Sequence, residues 1–253
     1  MKHLNKIAAF FILCITCSLL SCSKDENPEA KGKLKIEFLH EVNGQPLVLN
    51  DQVFTNRAGN AYRIEKLKYY ISNIELIRAN GAVLQIPDGY FLIEETNLDS
   101  RTMIELADIP ASDYQSLSFA IGVDSARNFS TEMVGELNPN NDMAWNWVSG
   151  YKFFLLEGKF TTHTQAPGSI VYHIGGNQSL RKVTLSPGSG PLQVSGNKTT
   201  ELGISTDINS IFNTKTIIDL NEINAVMQPG NEADKIADNY ASGMFQLHHL
   251  TIK

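Results

Sequence analysis

Leu34-Lys35-Ile36-Glu37-Phe38-Leu39-His40-Glu41-Val42 decides the fold class. Apolar or aromatic side chains fall at 34, 36, 38 and 42, and Lys35, Glu37 and Glu41 fall between them. A period of two over nine residues is the signature of a half-buried strand. It puts His40 on the apolar face, beside Ile36 and Phe38. Working outward, Tyr62–Ile77 is rich in β-formers, and Asn80-Gly81 marks a hairpin turn into Val83, Leu84 and Ile86. Further strands are expected at 90–94, 102–106, 114–123, 152–162, 169–174, 179–185, 199–206 and 244–252, separated by Gly-, Pro- and Asn-rich turns. Helix is expected only at 207–212, capped by Asp207, and at 232–242, where Ile236, Ala237 and Tyr240 have helical spacing. Short strands without βα alternation predict an all-β fold: a single antiparallel, Greek-key-like β-sandwich with one or two short helices.

The N-terminus reads as an address. Lys2 and Lys6 precede an uncharged apolar run, Ile7–Leu20, too short to span a bilayer as a mature helix. It ends in Leu19-Leu20-Ser21-Cys22, which resembles a bacterial lipobox. That implies a signal peptide over 1–21, cleavage before Cys22 and lipid on its thiol, with membrane attachment through the lipid alone. Residues 22–33 are polar and charged and read as a flexible tether, leaving 34–253 as the β domain. The expected location is the cell envelope, at the outer membrane, on its periplasmic or surface side.

Cys14 and Cys17 leave with the signal, so the mature chain has no free thiol and no cysteine metal site. Cleavage removes two lysines and no acid, moving the net charge from −6 to −8. An acidic chain argues against nucleic acid as a partner. There is no Gly-rich phosphate loop, no His-Glu-x-x-His and no Gly-x-Ser-x-Gly, so no enzyme template applies and no catalytic residue is assigned.

Of the histidines, His40 is either a hydrogen-bonded core residue or a ligand. His163 falls in a polar turn and reads as solvated. His173 ends a strand before Gly175-Gly176, where rigidity and access combine. His248 and His249 are adjacent on a strand and should face opposite ways. Both tryptophans of the chain, Trp145 and Trp147, lie one residue apart, either as a buried aromatic anchor or as part of a site.

Five blocks together resemble the MbnP-like copper-binding family of bacterial envelope proteins. They are Leu39–Leu47 (LHEVNGQPL), Lys68–Ile74 (KYYISNI), Leu117–Asp124 (LSFAIGVD), Met143–Phe153 (MAWNWVSGYKF) and Tyr172–Gly175 (YHIG). The resemblance implies copper handling without catalytic turnover. It also implies a dihaem cytochrome c peroxidase-like partner and oxidation of a tryptophan to kynurenine. Carried onto this sequence, it implies imidazole ligands at His40 and His173, converging on one copper ion. Trp145 or Trp147 would be the modified auxiliary ligand, with Met143 as a soft neighbour. The alternative is a metal-free surface interaction or adhesion β-sandwich in which His40 and the tryptophans are core.

Overall fold

A computed structural model describes residues 29–130, 132, 135–145 and 150–253. Among the described residues, fifteen strands run in chain order. The first eight are β1 Lys31–Val42, β2 Gln45–Pro46, β3 Phe54–Thr55, β4 Ala61–Arg78, β5 Val83–Gln85, β6 Tyr90–Glu95, β7 Met103–Pro110 and β8 Ser112–Ile121. After the helical turn α1 Ser125–Asn128 come β9 Lys152–Thr161, β10 Pro167–Gly175, β11 Arg181–Leu185, β12 Leu192–Val194 and β13 Thr199–Asp207. The chain closes with β14 Ala225–Val226, helix α2 Asn231–Gly243 and β15 Phe245–Ile252.

They form two sheets. The smaller has the order β15-β13-β1-β2, with β7 also on β1. The larger has the order β11-β8-β4-β9-β10-β14, with β12 on β8 and with β3, β5 and β6 on β4. Inward residues of β1 alternate with exposed ones, as the period of two demands, and Phe38 meets Tyr69 and Phe119 of the larger sheet edge-on at 6.0 Å. That contact marks the inter-sheet core. The all-β reading holds. Pairing is mixed rather than purely antiparallel, because β1 runs parallel to β13 and β10 parallel to β14. Both are long-range pairings that local periodicity does not encode.

β1 begins at Lys31, inside the stretch expected as tether. Its polar side chains do not prevent pairing, because a ladder uses backbone groups: Lys33 N–H donates to Lys198 O at 2.9 Å. Gly32 permits this approach, since a Cβ there would lie 2.3 Å from Ser195 O. The expected helical pieces are present. Asp207 caps a 3₁₀ turn at Ile208–Phe212 by accepting from Asn209 N–H, and α2 buries Ala233, Ile236, Ala237 and Tyr240. Among the described residues no helix is long and apolar enough to cross a membrane. Cys22 and the signal segment lie outside the described residues.

A second, smaller core lies on the outer face of the larger sheet. It gathers Tyr70, Leu92, Val123, Phe153 and Leu155 beneath Leu137, Met143 and Tyr151. The segment 135–145 covers this face, and there the candidate site lies.

Candidate metal centre

β10 presents alternate faces. Tyr172 and Ile174 belong to the inter-sheet core, so His173 points to the outer face, paired with Leu155 of β9. Glu157, two residues further along β9, shares that face. Its carboxylate lies 2.8 Å from His173 Nε2. Nε2–H therefore donates to the carboxylate and the lone pair sits on Nδ1, an assignment that follows from the hydrogen-bond network. Nδ1 is buried and has no hydrogen-bond partner among the described residues. Burial pulls the His173 pKa below its ordinary value. The Glu157 hydrogen bond opposes this, and the charge of Lys152 adds to it. The imidazole is thus neutral near pH 7, with its lone pair turned inward.

Trp145 closes over this group. Its indole is nearly buried and meets the His173 ring edge-on at 6.3 Å. Gly175 makes the approach possible: a Cβ there would lie 2.5 Å from Tyr151 O and 3.1 Å from Trp145 Nε1. Trp145 N–H donates to Gly150 O, and Ala144 bridges to Tyr151. Met143 is fully buried in the outer core. A second thioether emerges only from the topology. Val171 and Tyr172 pair in parallel with Ala225 and Val226, and Met227 is the first residue after that two-residue pairing ends. It is 43% exposed.

His40 has a different environment. Its Nδ1 lies 2.6 Å from Glu95 Oε2 and its Nε2 lies 2.9 Å from Tyr69 Oη. Both ring nitrogens are therefore satisfied. Hydrogen bonds from His40 and Ser100 outweigh burial, which alone would raise it, and hold the Glu95 carboxyl below its ordinary value. Tyr69 pairs with Phe154 and faces the inter-sheet core, whereas His173 pairs with Leu155 on the opposite face. The larger sheet thus lies between the two histidines. The expected convergence of His40 and His173 on one ion is corrected: the structure brings His173, Trp145 and Met143 into one region and leaves His40 in another.

Trp147 lies outside the described residues. His163 is exposed, as expected, 3.6 Å from Asp219. His248 and His249 are exposed too. A register shift between Gly203 and Ile204 lets their rings approach edge-on at 5.4 Å instead of pointing to opposite faces.

Among the described residues no group of three or more His, Cys, Asp or Glu side chains is arranged to hold a metal. A hard, carboxylate-rich site is not what this face offers. The orphaned His173 nitrogen lies beside the indole cradled over Gly175, with the Met143 thioether in the same outer core, and imidazole and thioether are donor types that fit a cuprous ion. The Glu157–His173 hydrogen bond is the outer-shell arrangement that orients ligating imidazoles. Sequence reasoning missed Glu157 and Met227, and read Gly175 only as part of the glycine pair beside His173, not as the seat of the Trp145 indole. For Glu157 the available signal was its parity with Leu155 on one strand.

Residues 31–228 match the model of the MbnP family. Among solved structures, MbnP from Methylosinus trichosporium has the same fold. It aligns with a TM-score of 0.51 and 14% identity over 78% of this chain and 83% of that one. A comparison with curated proteins gave no match. With its β-sandwich and a match over most of its length, the chain belongs to the MbnP family, a family with a copper-associated role.

Proposed function

We propose that this protein binds a cuprous ion on the outer face of its larger sheet, with His173 Nδ1 as the imidazole ligand and Trp145 as the residue that completes the site. The observation that carries this reading is the buried, unpartnered Nδ1, beside the Trp145 indole and with Nε2 tied to Glu157. Thioethers suit the cuprous state, which makes Met143 the soft donor at hand. An intact indole nitrogen donates and does not accept, so Trp145 joins as a ligand only once modified. Cleavage of the indole C2–C3 bond with one oxygen added at each carbon, a four-electron oxidation by two equivalents of peroxide reduced to water, gives an N-formyl ketone; water then hydrolyses the formamide, releasing formate and freeing the aniline nitrogen of kynurenine. The oxidant comes from outside the chain, and a dihaem cytochrome c peroxidase-like partner is the chemistry suited to it. In this reading the mature chain is a non-catalytic lipoprotein of the bacterial envelope, attached through Cys22.

The test is copper content with and without the partner. Co-expression should shift the mass of the tryptic peptide containing Trp145 from tryptophan to kynurenine and should tighten copper binding. His173→Ala should lose stoichiometric copper, while His40→Ala, where it folds, should keep it. Copper binding unchanged in His173→Ala would overturn the assignment.

A further inference from the structure

The segment that carries Trp145 is fastened from below by side chains of β4, of β9 and of Tyr151 just before β9. Tyr70 Oη donates to Glu136 O at 2.8 Å, Tyr151 Oη to Leu137 O at 2.8 Å and Lys68 Nζ to Asn141 O at 3.2 Å. Lys66 Nζ meets Asp142 Oδ2 at 2.6 Å. Lys152 differs from the rest because it holds two consecutive carbonyls. Its Nζ donates to Asp142 O at 2.9 Å and its backbone N–H to Met143 O at 2.7 Å. Lys152 is also the strand partner of Gly175, the residue over which the Trp145 indole lies. One residue is therefore bonded both to the stretch two positions before Trp145 and to the strand two positions after His173.

We propose that Lys152 is a positioning residue that sets Trp145 against His173; the inference rests on the copper reading above. Lys68 is about as buried, 11% exposed, but holds only the Asn141 carbonyl of the segment, so it is the two consecutive carbonyls that set Lys152 apart from Lys68, and exposure that sets it apart from Lys66. The Lys66–Asp142 pair is solvent-facing, with side chains 34% and 59% exposed, and pairs of that kind contribute little. The Lys152 side chain is 9% exposed, so its ammonium bonds to a carbonyl largely out of water, where a charge-assisted bond is stronger. Asp142 itself sits at φ +63°, a left-handed conformation that a firmly held carbonyl helps to keep.

The test compares Lys152→Gln, Lys152→Met, Lys152→Arg and Lys66→Met by amide hydrogen exchange on metal-free protein and by copper affinity. In Lys152→Gln and Lys152→Met, exchange at the Trp145 and residue-152 amides should accelerate about tenfold or more, while Tyr69 and Phe154 in the central sheet keep the parent rate. Copper affinity should fall about tenfold in both, in line with the loss of a group that orients a ligand. Lys152→Arg, which retains a cationic donor, should restore both readouts, and Lys66→Met should change neither. Unchanged local exchange in Lys152→Gln and Lys152→Met would overturn the proposal. So would faster exchange with unchanged copper affinity, or failure of Arg to rescue. If only Lys and Arg allow folding at 152, the residue serves the whole fold and the local role is also overturned. Failure of the copper reading shows separately, as parent-like copper binding in His173→Ala.

Discussion

Replacing Gly175 by alanine tests the closeness of Trp145 and His173 without touching either. The added Cβ would lie 2.5 Å from Tyr151 O and 3.1 Å from Trp145 Nε1. The first neighbour is backbone, in the residue bridged to Ala144, so it cannot rotate away. Overpacking of this kind costs about 1–3 kcal/mol. The gain from restricting the unfolded chain offsets roughly 0.4–1 kcal/mol of that. A net loss of about 1–2 kcal/mol corresponds to a fall in Tm of roughly 2–8 °C for a domain of this size. Gly188 is the control: no atom lies within 4 Å of its would-be Cβ, so Gly188→Ala should match or slightly exceed the parent. Thermal melts followed by circular dichroism give the stability. Cross-relaxation between the Trp145 indole and the His173 imidazole in metal-free protein gives the geometry. Gly175→Ala should melt lower and lose the ring contact. A Gly175→Ala protein that melts with Gly188→Ala and keeps the contact would refute the packing argument.

Three further outcomes follow from other parts of the molecule. His40→Ala should destabilise by about 2–3 kcal/mol, because it strands Tyr69 Oη in the core and removes the partner of Glu95; urea unfolding checks this, and a loss below the error of the midpoint would count against a structural His40. Acid should destabilise the fold: Glu95 is held below its ordinary value, so its contribution is lost as pH falls through its folded pKa, and His173 is lowered from 6.5, so below that pH the unfolded chain takes up a proton that the folded chain resists. Urea midpoints that rise between roughly pH 6.5 and pH 5 would contradict the sign, and in His173→Ala the decline across that interval should shrink. Cys22→Ala should move the protein from the membrane fraction to the soluble one, and retention in the membrane fraction would contradict lipid anchoring.

The opposite fates of His40 and His173 show what local pattern carries and what it leaves open. Alternation along Leu34–Val42 was enough to turn His40 inward, and the structure keeps it there. The same parity cannot say which interior a strand faces. This sheet has two, the inter-sheet core behind Tyr69, Phe154 and Tyr172 and the outer core beneath Met143 and Tyr151. Whether two inward histidines meet depends on register: Tyr69 pairs with Phe154, His173 with Leu155, and that single-residue offset separates them by the thickness of a sheet. Glu157 was hidden for a related reason, since an acid on a strand reads as solvent-facing until a histidine is placed beside it. Met227 was harder still: it follows a two-residue parallel bridge in an irregular stretch, where no period exists to read. The strand content was legible because it rests on residues two apart; the site was only partly legible because it rests on residues 28 and 30 apart, from Trp145 to His173 and Met143 to His173, joined through one glycine and one lysine. An imidazole whose nitrogens both have partners, as in His40, already has what burial demands of it. One left with a buried free lone pair, as in His173, does not, and that deficit is the strongest physical reason to look for a ligand there rather than at the histidine that local pattern made most conspicuous.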